Sequence, residues 1–88
     1  MAKQNTTNPS TPLAPLAVLD DGFHLRIAFE GRGVVIFTLE PPWRGRRIGM
    51  TTYYPQGAEI PRAIPGDLEV AARAAHAAFL EERPLLPV

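Results

Sequence analysis

The chain has eighty-eight residues, and its nine Lys and Arg balance nine Asp and Glu. That length holds one small domain, and below roughly 80 residues a single core rarely supplies more than about 3 to 5 kcal/mol, so self-association or docked tails often add to it. The absence of cysteine excludes disulfides, thiolate metal ligands and a cysteine nucleophile. No stretch has the character of a signal peptide or a membrane span, so the composition predicts a cytoplasmic chain.

Residues 1–12 are polar, carry Pro9 and Pro12 and lack periodicity, which predicts a disordered leader ahead of a single domain over residues 13–88. Residues 13–19 (LAPLAVL) are apolar but interrupted by Pro15, which suits an edge segment and disfavours a central strand. Residues 23–30 alternate cleanly: Phe23, Leu25, Ile27 and Phe29 on one side, His24, Arg26, Ala28 and Glu30 on the other, as a half-buried strand requires. A three-residue loop Gly31-Arg32-Gly33 leads to the second strand over residues 34–39 and pairs Phe29 with Val35, Ile27 with Phe37 and Leu25 with Leu39. A two-residue turn would pair Phe29 with Val34 and reverse the faces of that strand.

The second strand, VVIFTL, is apolar on both sides, as in a strand covered on both faces. One helix covers only one face. Val34 and Ile36 must therefore be met by residues 13–19, by a second copy of the chain or by a partner. Residues 40–47 (EPPWRGRR) form a loop, since Pro41 and Pro42 cannot donate ladder hydrogen bonds. The third strand spans residues 48–54, with Ile48, Met50, Thr52 and Tyr54 on one side and Gly49, Thr51 and Tyr53 on the other. Residues 58–66 read as a crossing loop anchored by Ile60 and Ile64.

Asp67 can cap a helix running to about Arg83, where Pro84 stops it. Its apolar stripe is Leu68, Ala71, Ala72, Ala75, Ala78 and Phe79; Glu69, Arg73, His76, Leu80 and Arg83 lie on the neighbouring stripe, with Glu69 and Arg73 as an i,i+4 pair. The expected fold class is therefore α+β: an antiparallel sheet of three strands, or four with an edge strand from residues 13–19, and one C-terminal helix across one face.

The residues offer little for catalysis. Ser10 is the only serine and lies in the leader, and neither His24 nor His76 has a ligand at metal spacing in sequence, so both read as partly exposed. The paired acids Asp20, Asp21 and Glu81, Glu82 are sequence neighbours whose side chains diverge. The reading is a non-enzymatic chain without cofactor or metal.

Charge is unevenly placed. Arg26, Arg32, Arg44, Arg46, Arg47 and Arg62 outnumber the three acids of residues 22–64, whereas Asp67, Glu69, Glu81 and Glu82 outnumber Arg73 and Arg83. The candidate partner-binding residues are Trp43, Arg44, Arg46 and Arg47 in the Trp/Arg loop, extended by Arg26 and Tyr53 on the sheet face away from the helix. A neutral chain lacks the long-range attraction that supports nucleic-acid binding, while Trp, Tyr and Arg are enriched at protein hot spots, so a partner protein is the first reading. Arginines on phosphates with Trp43 or Tyr53 stacked on a base give DNA or RNA binding as the second. A homodimer through the uncovered sheet face or edge is the third.

In strand and helix order, residues 23–83 resemble the small arm-site DNA-binding domains of tyrosine integrases, which place a sheet in the major groove. The likeness is topological, and no residue role is carried over from it. In size and economy the chain is similar to small phage-encoded inhibitors such as anti-CRISPR proteins, which implies an inhibitor or adaptor acting on a protein; this likeness is one of analogy.

Overall fold

The computed structural model describes residues 13–40 and 45–82. Residues 1–12, expected to be a disordered leader, Pro41 to Arg44 and residues 83–88 lie outside the described residues. Among the described residues four strands, β1 (Ala17–Asp20), β2 (His24–Phe29), β3 (Gly33–Leu39) and β4 (Ile48–Tyr54), precede one helix, α1 (Gly66–Glu82). The strands form an antiparallel meander in the order β1-β2-β3-β4, and α1 packs on one face. The fold is α+β with the fourth, edge strand drawn from the apolar segment after the leader.

The first turn uses the two neighbouring acids. Asp21 Oδ1 accepts the amides of Phe23 (2.9 Å) and His24 (2.7 Å), and Asp20 Oδ1 accepts that of Gly22 (2.8 Å). Asp residues favour turns because they bond their own backbone in this way, and Gly22 supplies the positive φ of 93°.

At the second turn the structure corrects the expected register. Ile27 pairs with Val35, Leu25 with Phe37, and Phe29 with Gly33. The connection is still three residues long but consists of Glu30, Gly31 and Arg32, with Gly31 at φ 71° and the Arg32 amide on the Phe29 carbonyl at 3.1 Å. Because the shift is two residues, every side chain keeps its expected face. The physical reason lies at Gly33 (φ 104°): a Cβ there would run into the backbone carbonyl of Tyr54, so this glycine belongs inside the ladder where β4 passes close.

β4 corrects a second expectation. Thr38 pairs with Met50 but Leu39 pairs with Ile48, so Gly49 is an extra residue in a β-bulge. Ile48 therefore leaves the Met50, Thr52, Tyr54 set and joins Thr51 and Tyr53 on the helix side.

The core comprises Leu25, Ile27, Phe29, Val35, Phe37, Leu39 and Tyr53 from the sheet and Leu68, Ala71 and Ala72 from α1, with Ile48, Ile64, Ala75 and Phe79 packed at its margin. Full burial of each large apolar side chain is worth about 1.5–3 kcal/mol, and Phe37, Leu25, Ile27, Leu68 and Val35 are the largest fully buried ones. Ile64 is the anchor expected of the return loop, whereas Ile60 remains exposed.

α1 begins one residue before Asp67, with the Glu69 amide on the Pro65 carbonyl at 2.9 Å. Asp67 sits inside the first turn and takes the Arg32 guanidinium on both oxygens at 3.2 Å, tying the β2–β3 turn to the helix start. That guanidinium holds the Asp67 carboxyl below its ordinary value of 3.8. Glu69 and Arg73 pair at 3.3 Å. The buried stripe includes His76, which is 7% exposed, and omits Ala78, which is exposed. The expectation of a partly exposed His76 is thus overturned: with Leu68 and Ala72 it forms one i,i+4 line facing the sheet.

Candidate functional site: the open face of the sheet

Cross-strand pairing sorts the face opposite α1 into rows. Ala17, Ala28, Val34 and Tyr54 form one; Leu19, Arg26, Ile36 and Thr52 form the next; His24, Thr38 and Met50 form the third. No described helix or strand packs on this face. Leu19 is 64% exposed and Met50 58%, while Val34 and Ile36 are half-buried. β3 is thus apolar on both sides and, among the described residues, covered by a helix on one.

Residues 13–19, one of the three covers expected, do not form a layer over Val34 and Ile36, although Leu16 lines the hollow beside Val34. Pro15 and its neighbours lead into an in-plane strand, where the Leu16 amide bonds the Ala28 carbonyl at 2.7 Å. Leu13, Pro15 and Val18 instead face α1, lining a groove of about 460 Å³ with Ala75, Ala78 and Phe79. On the open face, Ala28, Val34 and Tyr54 floor a hollow of about 480 Å³, with Glu30 and Gln56 at its walls. Apolar ground with polar groups at the rim can seat a side chain of a partner.

Of the sequence candidates, Arg26 lies on this face between Leu19 and Ile36, exposed and with no ion pair among the described residues. Tyr53 does not extend the face. It points into the core, 6% exposed, and its hydroxyl donates to the Arg32 carbonyl; the Gly49 bulge is what turns it inward. Arg46 and Arg47 are exposed at the end of the sheet where β4 starts, Arg47 lying 3.5 Å from Glu40. Trp43 and Arg44 lie outside the described residues.

The approach to that loop is fixed from below. His76 Nε2 donates to the Gly45 carbonyl at 2.6 Å, and its ring stands edge-on to Phe37 at 5.9 Å. Arg73 lies over the other partner in this stack, 5.8 Å from the Phe37 ring centre. The Glu40 amide bonds the Arg47 carbonyl at 3.1 Å, closing the ladder on the loop. His24 Nδ1 meets Asp21 Oδ2 at 3.3 Å as part of the first turn, and amide donors hold the Asp21 carboxyl below 3.8. Both histidines thus have structural partners. Among the described residues no three or more His, Asp or Glu converge on a cation position.

Leu19 and Met50 are not among the binding candidates of the sequence, and Phe23, expected on the inward side with Leu25, Ile27 and Phe29, instead lies ahead of β2 and is 59% exposed. Met50 needed the face of β4, and Leu19 needed β1 to be a strand rather than a cover. No described helix is long and apolar enough to cross a membrane. No family model, curated protein or solved structure matches this chain.

Proposed function

We propose that this chain is a small non-enzymatic binding module that docks on a partner protein through the open sheet face, acting as an inhibitor or adaptor. One observation carries the reading: β3 presents Val34 and Ile36 to a face on which no described element packs, beside exposed Leu19 and Met50. Apolar ground of this kind on a small protein marks an interaction surface. Arg26 at its centre suits a carboxylate on the partner, as arginine at a desolvated interface centre does. The cysteine-free composition is compatible with work in the reducing cytoplasm.

Nucleic-acid binding is the second reading, favoured by exposed Arg26, Arg46 and Arg47. The two readings separate by salt and by site. A protein partner captured on the immobilised chain should survive nuclease, tolerate added salt and be lost on Met50→Glu. Nucleic acid should be lost on Arg46→Glu with Arg47→Glu and fall steeply with salt.

A further inference from the structure

The two edges of the sheet are finished differently. Beyond β4 the return loop closes over the strand, with the Arg62 amide on the Tyr53 carbonyl at 2.9 Å. Beyond β1 no described strand follows. Proteins blunt such edges with lysines, inward charges, bulges or proline. β1 has Pro15 ahead of it and one charge, Asp20, at its turn end, where the carboxylate holds the Gly22 amide, and Leu16 and Leu19 are each more than 60% exposed.

The hydrogen-bond phase of β1 follows from its turn. The Asp21 amide bonds the His24 carbonyl at 3.2 Å, so strict alternation of an antiparallel ladder makes Leu19–Arg26 and Ala17–Ala28 the bonded pairs. The backbone groups of Val18 and Asp20 then point away from β2 to the open edge.

We propose that β1 is a homodimerisation edge, pairing antiparallel with β1 of a second copy about a two-fold axis at Leu19. The register is the one that uses every outward group. Val18 opposite Asp20 of the other copy, and the reverse, engages all the outward amides and carbonyls. Centring on Val18 would bring in Leu16, whose amide is already on Ala28. Centring on Asp20 would set two carboxylates directly opposite, which destabilises a strand pair. With the axis at Leu19, the two leucines face each other in a non-bonded pair. Residues opposite each other share a face, so both helices lie on one side and both open faces merge on the other. A two-fold pairing of identical surfaces closes without leading to fibres. A single strand pair is a small interface, so the association is reversible and concentration-dependent.

The edge proposal does not rest on the partner-protein reading. It is tested on the full chain, where an introduced cysteine is the only one. Residues opposed across a non-bonded pair have Cβ atoms about 4.5–5.5 Å apart, close to disulfide range. Leu19→Cys should form a covalent dimer under mild oxidation much faster than Met50→Cys, which is equally exposed on β4. Wild-type chain should shift from monomer to dimer with concentration in sedimentation velocity, and Leu19→Lys should remain monomeric with an unchanged circular dichroism spectrum. A wild-type monomer at all concentrations, with Leu19→Cys crosslinking no faster than Met50→Cys, overturns the proposal. So does a dimer that persists in Leu19→Lys and crosslinks through Met50→Cys, which would place the contact on the sheet face.

Discussion

Replacing Gly33 with alanine separates the observed hairpin register from the alternative in which Gly33 is a loop residue. At φ 104°, an L-residue meets left-handed strain of about 1–2 kcal/mol. The added Cβ also collides with the Tyr54 carbonyl and the backbone of Pro55 and Gln56, none of which is a flexible side-chain tip. Relief requires β4 to withdraw from the start of β3, where Val34 pairs with Tyr54 and Val35 with Tyr53. Losing two ladder hydrogen bonds at about 0.5–1.5 kcal/mol each brings the total to about 2–5 kcal/mol. A core of this size supplies about 3–5 kcal/mol, so Gly33→Ala should be largely unfolded or nearly so. Gly31→Ala is the matched control: it shares the positive φ, at 71°, but its Cβ meets open space, so only the strain of about 1–2 kcal/mol applies. Urea unfolding followed by far-ultraviolet circular dichroism reads both variants. Equal losses, or a larger loss in Gly31→Ala, would refute the placement of Gly33 inside the ladder.

Tyr53→Phe removes the bond to the Arg32 carbonyl and should cost about 1–2 kcal/mol in urea unfolding, with partner capture unchanged because the ring is buried away from the open face. His76→Ala leaves the Gly45 carbonyl without its donor and should cost about 2 kcal/mol, with faster amide exchange at Gly45 to Arg47 as the local signature. Asp67 and Asp21 both titrate below 3.8 in the folded chain, so the stability that they contribute is present above that value and is lost as pH falls through their lowered pKa values. Asp67→Asn should flatten the acid limb of a stability–pH profile, and added salt should shrink the difference from wild type, since the pair with Arg32 is solvent-exposed.

Side-chain faces were more legible in the sequence than pairings. The alternation of residues 23–30 places Leu25, Ile27 and Phe29 inward correctly but also Phe23, which falls ahead of β2 in the Asp21 turn and stays exposed, and the two-sided apolarity of β3 announces an open or doubly covered face. The exact register was hidden because Gly31 and Gly33 both adopt positive φ, and composition does not say which one sits in the loop. The inward turn of Tyr53 depended on a bulge at Gly49, and a single inserted residue reverses every face that follows it. His76 does carry a signal, its four-residue spacing from Ala72 and Leu68, but a polar residue in that line reads as surface from type alone. Asp20 and Asp21 stand side by side as an acid pair, whereas short acids before glycine more often close a turn.

The claim that the open sheet face is the working surface is met most directly by capture on the immobilised full chain after nuclease treatment, comparing wild type, Met50→Glu with Thr52→Glu, and Arg46→Glu with Arg47→Glu. The account predicts a stoichiometric protein retained by wild type and by the double arginine variant and lost from the β4 face variant, whose folding is checked by circular dichroism. A protein retained by the face variant and lost with the arginines, or retained material that disappears with nuclease, would contradict it.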